Sequence, residues 1–110
     1  MSGAAHGDEV RRAAFEAPLV GIWAPSPDLC ASGDSVITIS KRAYESAGNR
    51  CELGWVVVTP GPFGPTYGVR ASCAGPDKTV RAVDSIIRPE GERLLIGSSY
   101  ETLRPYQRCQ

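Results

Sequence analysis

CELGWVVVTPGPFGPTYGVRASC, Cys51 to Cys73, is the stretch whose reading decides the fold. Two β-favouring runs flank Pro60-Gly61-Pro62-Phe63-Gly64-Pro65, a segment too rich in proline and glycine to continue either strand. Folding the stretch within its 60–65 turn so that it centres on Pro62 pairs positions whose numbers add to 124. Cys51 then faces Cys73, Leu53 faces Ala71, Trp55 faces Val69 and Val57 faces Tyr67, all on one side because side chains alternate along a strand. The other side carries Glu52–Ser72, Gly54–Arg70, Val56–Gly68 and Val58–Thr66, which is mixed or small. One face is apolar throughout, and the same register sets two cysteines opposite each other within disulfide reach. If Cys51 joins Cys73, the remaining pair is Cys30 with Cys109, which ties the first strand to the C-terminus as closure of a barrel requires.

Working outward, short β-favouring runs recur between Gly/Pro punctuation: 19–24, 35–40, 42–46, 51–59, 66–73, 79–88, 93–99 and the tail from Tyr100 to Cys109. Turns are expected at Ser40-Lys41, at Gly48-Asn49 and at Glu90-Gly91. The last would set Ile87 against Leu94 and Ile86 against Leu95. Seven or eight antiparallel strands connected in order and closed end to end give an all-β, small up-and-down β-barrel, a lipocalin-like meander. An open sandwich is the alternative.

Residues 1–18 differ in character and are read as a leader, with the disulfide-stapled barrel domain spanning 19–110. GDEVRRAAFEA could form about two helical turns, with Asp8 near the start and Val10, Ala13, Ala14 and Ala17 on one side. The expectation is a short N-terminal helix or a disordered leader.

The composition excludes several classes of function. With 12 Lys+Arg against 12 Asp+Glu, no net field recruits nucleic acid or an anionic membrane, and no apolar run is long enough for a membrane span. Four well-separated cysteines read as two disulfides rather than a zinc site, so export to an oxidising compartment is expected. The first residues, MSGAAHGDEVRRAAFEA, have no hydrophobic h-region, and a signal peptide is expected to have been removed ahead of Met1. His6 is the sole imidazole and belongs to the leader, and no carboxylate pair stands in a catalytic or metal-binding pattern. The glycines around Pro60 to Pro65 resemble neither a P-loop nor a dinucleotide fingerprint, because prolines remove the amide donors such loops need. The reading is therefore no enzyme, no cofactor and no metal.

Two sets of residues are candidates for binding. Pro62, Phe63 and Pro65, with Tyr67 following, form a stiff loop that could present an aromatic at low entropic cost; the alternative has Phe63 folding back over the barrel end. Trp23 and Trp55 could instead line a ligand cavity. Asp84 stands out as a carboxylate in an otherwise apolar strand, where the outer face is its ordinary place.

The frame Leu19-Val20-Gly21-Ile22-Trp23, Cys30, Cys51, Cys73 and Arg108-Cys109 resembles small exported proteobacterial proteins of unknown function. LVGIWAPSPDLC followed by Cys51 also resembles the opening of the periplasmic alkaline metalloprotease inhibitors. That resemblance implies a small eight-stranded barrel whose N-terminal segment enters a protease cleft. Four cysteines stand here where those inhibitors typically have two. The functional expectation is an exported, monomeric, periplasmic or secreted protein-binding or inhibitor-like module, working through the 60–65 loop or the N-terminal segment. Its alternatives are a lipocalin-like carrier of a small apolar ligand and a structural cell-envelope protein.

Overall fold

The computed structural model describes residues 11–31, 33, 35–62 and 64–109. Asp8, Val10, His6 and Phe63, on which expectations were placed, lie outside the described residues. The described residues form nine strands: β1 (Arg11–Arg12), β2 (Gly21–Ala24), β3 (Ile37–Ile39), β4 (Ala43–Ser46), β5 (Asn49–Thr59), β6 (Thr66–Ala74), β7 (Val80–Glu90), β8 (Arg93–Gly97) and β9 (Arg104–Arg108). From β2 to β9 each strand pairs antiparallel with the next, and β9 returns to β2 through Trp23↔Arg108 and Ala24↔Gln107. The result is the closed eight-stranded up-and-down barrel expected, not an open sandwich. β1 lies beside β5, past the end of β4, pairing Arg11↔Val57 and Arg12↔Val56.

The hairpin of β5 and β6 holds the expected register only in its lower half. Cys51↔Cys73, Glu52↔Ser72 and Leu53↔Ala71 pair as read, but a bulge at Gly54 shifts the rest to Trp55↔Arg70, Val56↔Val69, Val57↔Gly68 and Val58↔Tyr67. Every β5 side chain beyond Gly54 therefore changes face. Val56 is inside at 2% exposure, and Trp55 and Val57 look outward. Glycine suits the bulge because a Cβ here would stand 3.0 Å from the Arg70 carbonyl oxygen. The interior explains why the slipped register wins. An eight-stranded barrel is just wide enough for its own side chains, and Phe15, Leu19 and Trp23 are already buried inside it. Valine at position 56 packs with that set; a second indole inside the same ring would overfill it.

A second correction concerns the β7–β8 turn. It is Gly91-Glu92, closed by Glu90↔Arg93, so that Ile87 faces Ile96 and Pro89 faces Leu94. Gly91 adopts φ 62°, the left-handed conformation that glycine enters without a Cβ penalty, and this draws the turn one residue onward. Because the resulting register shift is two residues, Ile87, Leu94 and Ile96 keep their inward face. The turn after β4 is likewise Ala47-Gly48, with φ 50° and 81°, leaving Asn49 paired with Ser46.

The N-terminal helix is not formed in the described part of the leader. Arg11 and Arg12 are a strand, and Ala17–Leu19 is a single 3-10 turn containing Pro18. So short a segment gains more by adding hydrogen bonds to β5 and burying Phe15 than an isolated two-turn helix could return.

The core comprises Phe15, Leu19, Trp23, Ile39, Val56, Tyr67, Val69, Ile87 and Leu94, with a smaller cluster of Cys51, Ala71 and Cys73. Both expected disulfides are formed, Cys30–Cys109 and Cys51–Cys73. Among the described residues no charged group is buried. The strand directions give the barrel two distinct ends. Residues 11–20, residues 60–62 and 64–65, the Gly91-Glu92 turn and Cys109 share one, here called the strap end. The Ala47-Gly48 turn, residues 75–79 and residues 98–103 share the far end.

Candidate functional site

The strap, residues 11–20, is held to the barrel at four levels. Arg11 and Arg12 extend the sheet beside β5. Phe15 enters the core at 4% exposure, its N–H donating to the Lys41 carbonyl at 2.8 Å and its ring meeting Tyr44 edge-on at 6.3 Å. Glu16 accepts a hydrogen bond from the Tyr67 hydroxyl at 2.8 Å and from the Arg12 guanidinium at 2.6 Å. Leu19 is fully buried, and its carbonyl accepts from Trp23 Nε1 at 3.0 Å. Arg108 completes the closure by lying over the Trp23 ring, 4.4 Å from its centroid, while donating to the Pro18 and Val20 carbonyls. Stacking of this kind adds about 0.5–2 kcal/mol. The last strand is thereby locked onto the strap.

Burial, and then the hydrogen bond to Glu16, push the Tyr67 phenol up from 10.0 to about 12. A folded pKa above the unfolded one means that this stabilisation is complete below pH 10 and is lost as pH rises through about 12. Stability of the wild-type protein is therefore expected to fall more steeply with alkalinity across that window than stability of Tyr67→Phe. Urea midpoints measured on both sides of pH 10 check this.

The 60–65 segment leaves the barrel beside the strap. Thr59↔Thr66 is its last ladder pair, Gly64 N–H donates to the Gly61 carbonyl at 3.1 Å, and Pro60, Gly61, Pro62 and Pro65 are exposed. β1 runs antiparallel to β5 with Arg11 opposite Val57, two residues before β5 ends at Thr59. The described part of the leader and the base of the 60–65 hairpin thus lie at one end of one sheet edge. Across the same end lies a half-open cleft of about 580 Å³, floored by Leu19, Trp23 and Leu94 and rimmed by Pro18, Glu92, Arg93, Gln107 and Arg108. An apolar floor with mixed charge at the rim can receive a protruding side chain of a protein.

The structure divides the predicted residues. Pro62 and Pro65 are at the surface, Phe63 lies outside the described residues, and Tyr67 points into the core at 4% exposure, so it is a strap anchor and not a contact residue. Trp23 and Trp55 are not brought together. Trp23 is in the core, while Trp55 sits on the outer face beneath the Arg11 guanidinium, 4.7 Å from its ring centroid. The void inside the barrel wall, between Ile37, Tyr44, Ser85 and Ile96 among others, is about 30 Å³. That volume admits about one water and no organic ligand. Asp84 is on the outer face, bound through both oxygens by Arg70 at 2.8 and 2.9 Å, and this partner holds its carboxyl below the usual carboxylate range. Phe15, Glu16 and Arg108 were not singled out as site residues; an isolated aromatic among RRAA and EAPL was the one available signal for the first. No cluster of metal-ligating side chains occurs among the described residues. No family model, curated protein or solved structure matches the chain.

Proposed function

We propose that the protein is an exported binding module that engages another protein with the strap end of its barrel, in the manner of an inhibitor. The observation that carries this reading is the convergence of the anchored strap, the proline-stiffened 60–65 hairpin and the 580 Å³ cleft on one end of a barrel with a filled interior. Rigid presentation lowers the entropy lost on association. Two disulfides suit an oxidising compartment. The resemblance of residues 19–30 to the metalloprotease inhibitors supports a protein partner, since those barrels also act through an N-terminal segment. A carrier of small apolar ligands would need more room than the interior void of about 30 Å³ offers.

The test is retention of exported proteins from the source organism on the immobilised, oxidised chain. Two variants run alongside, Phe63→Ala and a chain lacking residues 1–10. One protein is expected to bind the wild type and to be lost with at least one variant of unchanged thermal midpoint. Retention that ignores both variants contradicts the reading.

A further inference from the structure

The far end of the barrel carries a sheet edge that the fold leaves unused. β7 has 11 residues, but β8 pairs only with Ile86 to Glu90. β8 stops at Gly97 because the chain turns back tightly there: a Cβ on Gly97 would stand 2.6 Å from the Thr102 carbonyl oxygen. The turn is fixed by Thr102 Oγ1, which accepts from the Ser98 and Ser99 amides at 3.1 and 3.0 Å and donates to the Ser99 carbonyl. Val80 to Ser85 therefore pair with β6 on one side and, among the described residues, with no strand on the other.

Ladder alternation says which backbone groups face that open side. The Cα separation at Cys51↔Cys73 is 3.9 Å, which marks a pair that does not exchange backbone hydrogen bonds. The amide and carbonyl of Cys73 consequently turn toward Arg81 on β7, and alternation along β7 points those of Arg81, Val83 and Ser85 at β6. The amides and carbonyls of Val80, Ala82 and Asp84 point away from β6, to the free side. Beyond Ser85 the same parity gives Ile86, Arg88 and Glu90 to β8, as the turn closing at Glu90↔Arg93 requires. Val80 is 64% exposed, Ala82 is exposed, and the Asp84 carboxylate is drawn off over the outer face by Arg70. Neither a proline nor a bulge blunts this edge. At the start of the slot, level with the end of β8, the Thr102-braced turn presents Tyr100 at 63% exposure.

We propose that the free edge of β7 at Val80, Ala82 and Asp84 takes up a short extended segment of another protein as an added strand. It runs antiparallel to β7 in the line that β8 leaves at Gly97, with Tyr100 as its aromatic anchor. Strand addition draws affinity from main-chain hydrogen bonds and specificity from alternate side chains. The occupant is a peptide-length segment because the open ladder spans six residues, roughly 20 Å. A second copy of the chain paired over that length alone buries far less than the roughly 1,200 Å² of a stable dimer. This surface is distinct from the strap end, and its test does not depend on the reading proposed for that end.

Ala82→Pro is the discriminating variant. It deletes one amide on the free side, spares every bond to β6, and suits an edge strand. A displayed library of short linear peptides is selected on the wild-type protein, and the selected peptides are measured against wild type, Ala82→Pro and Tyr100→Ala. Binding is expected to weaken at least about tenfold with Ala82→Pro. The amides of Val80, Ala82 and Asp84 should become protected from hydrogen exchange on binding while those of Arg81, Val83 and Ser85 do not change. No enrichment on the wild type, or equal binding by an Ala82→Pro protein of unchanged thermal midpoint, overturns the proposal. A wild-type dimer in light scattering that Ala82→Pro converts to monomer overturns the choice of occupant in favour of a second copy.

Discussion

Replacing Cys30 and Cys109 together by serine is expected to remove about 4–5 kcal/mol of stability in the chain-entropy model, read as a fall in the urea midpoint. The bridge joins residues 79 apart and so restricts nearly the whole barrel in the unfolded chain. The folded state needs it at its weakest seam. Among the described residues, Trp23↔Arg108 and Ala24↔Gln107 close β2 onto β9, supplemented by the Cys109 N–H donating to the Ile22 carbonyl at 2.7 Å. A small domain has about 5–15 kcal/mol in total, so the double variant should be partly unfolded at physiological temperature. The corresponding Cys51/Cys73 double variant should lose less, about 3–4 kcal/mol, because its bridge spans 22 residues. Its hairpin also stays paired from Arg50 to Thr59. Equal midpoints for the two double variants would contradict this ranking.

Trp23→Ala and Trp55→Ala are expected to differ severalfold in cost. Trp23 is 3% exposed, donates to the Leu19 carbonyl and carries Arg108 on its face, so truncation empties the junction of strap, β2 and β9. A loss of about 3–5 kcal/mol follows for a large aromatic in a core. Trp55 lies half-buried on the outer face with one guanidinium stacked on it, and its truncation should cost about 1 kcal/mol. Paired urea titrations decide the matter. Similar large losses for both would return Trp55 to the interior and with it the uninterrupted register.

The comparison of sequence with structure turns on that same strand. Alternation around Cys51, Leu53, Ala71 and Cys73 was unambiguous because charged or small residues separate the apolar ones, and both disulfides followed from it. Trp55-Val56-Val57-Val58 offers four apolar residues in a row, and no periodicity within such a run says which parity faces inward. The volume left inside a closed ring decided it, and that volume depends on Phe15 and Trp23, distant in sequence. Of the two expectations for the leader, the helix does not form in its described part, for a related reason. Alanines and arginines favour a helix locally, yet Phe15 had a core slot to fill and Arg11-Arg12 had an open stretch of β5 to pair with. Pro62 and Pro65 are exposed between β5 and β6. The cleft beside them was not legible, since it is assembled from Pro18, the β7–β8 turn and the end of β9.

Binding through the strap end is tested by hydrogen exchange on the protein in complex with the partner it retains. New protection is expected along residues 11–20 and at the base of the 60–65 hairpin, around Thr59 and Thr66. Protection confined to the far end of the barrel, with the strap and hairpin exchanging as they do in the free protein, would contradict it.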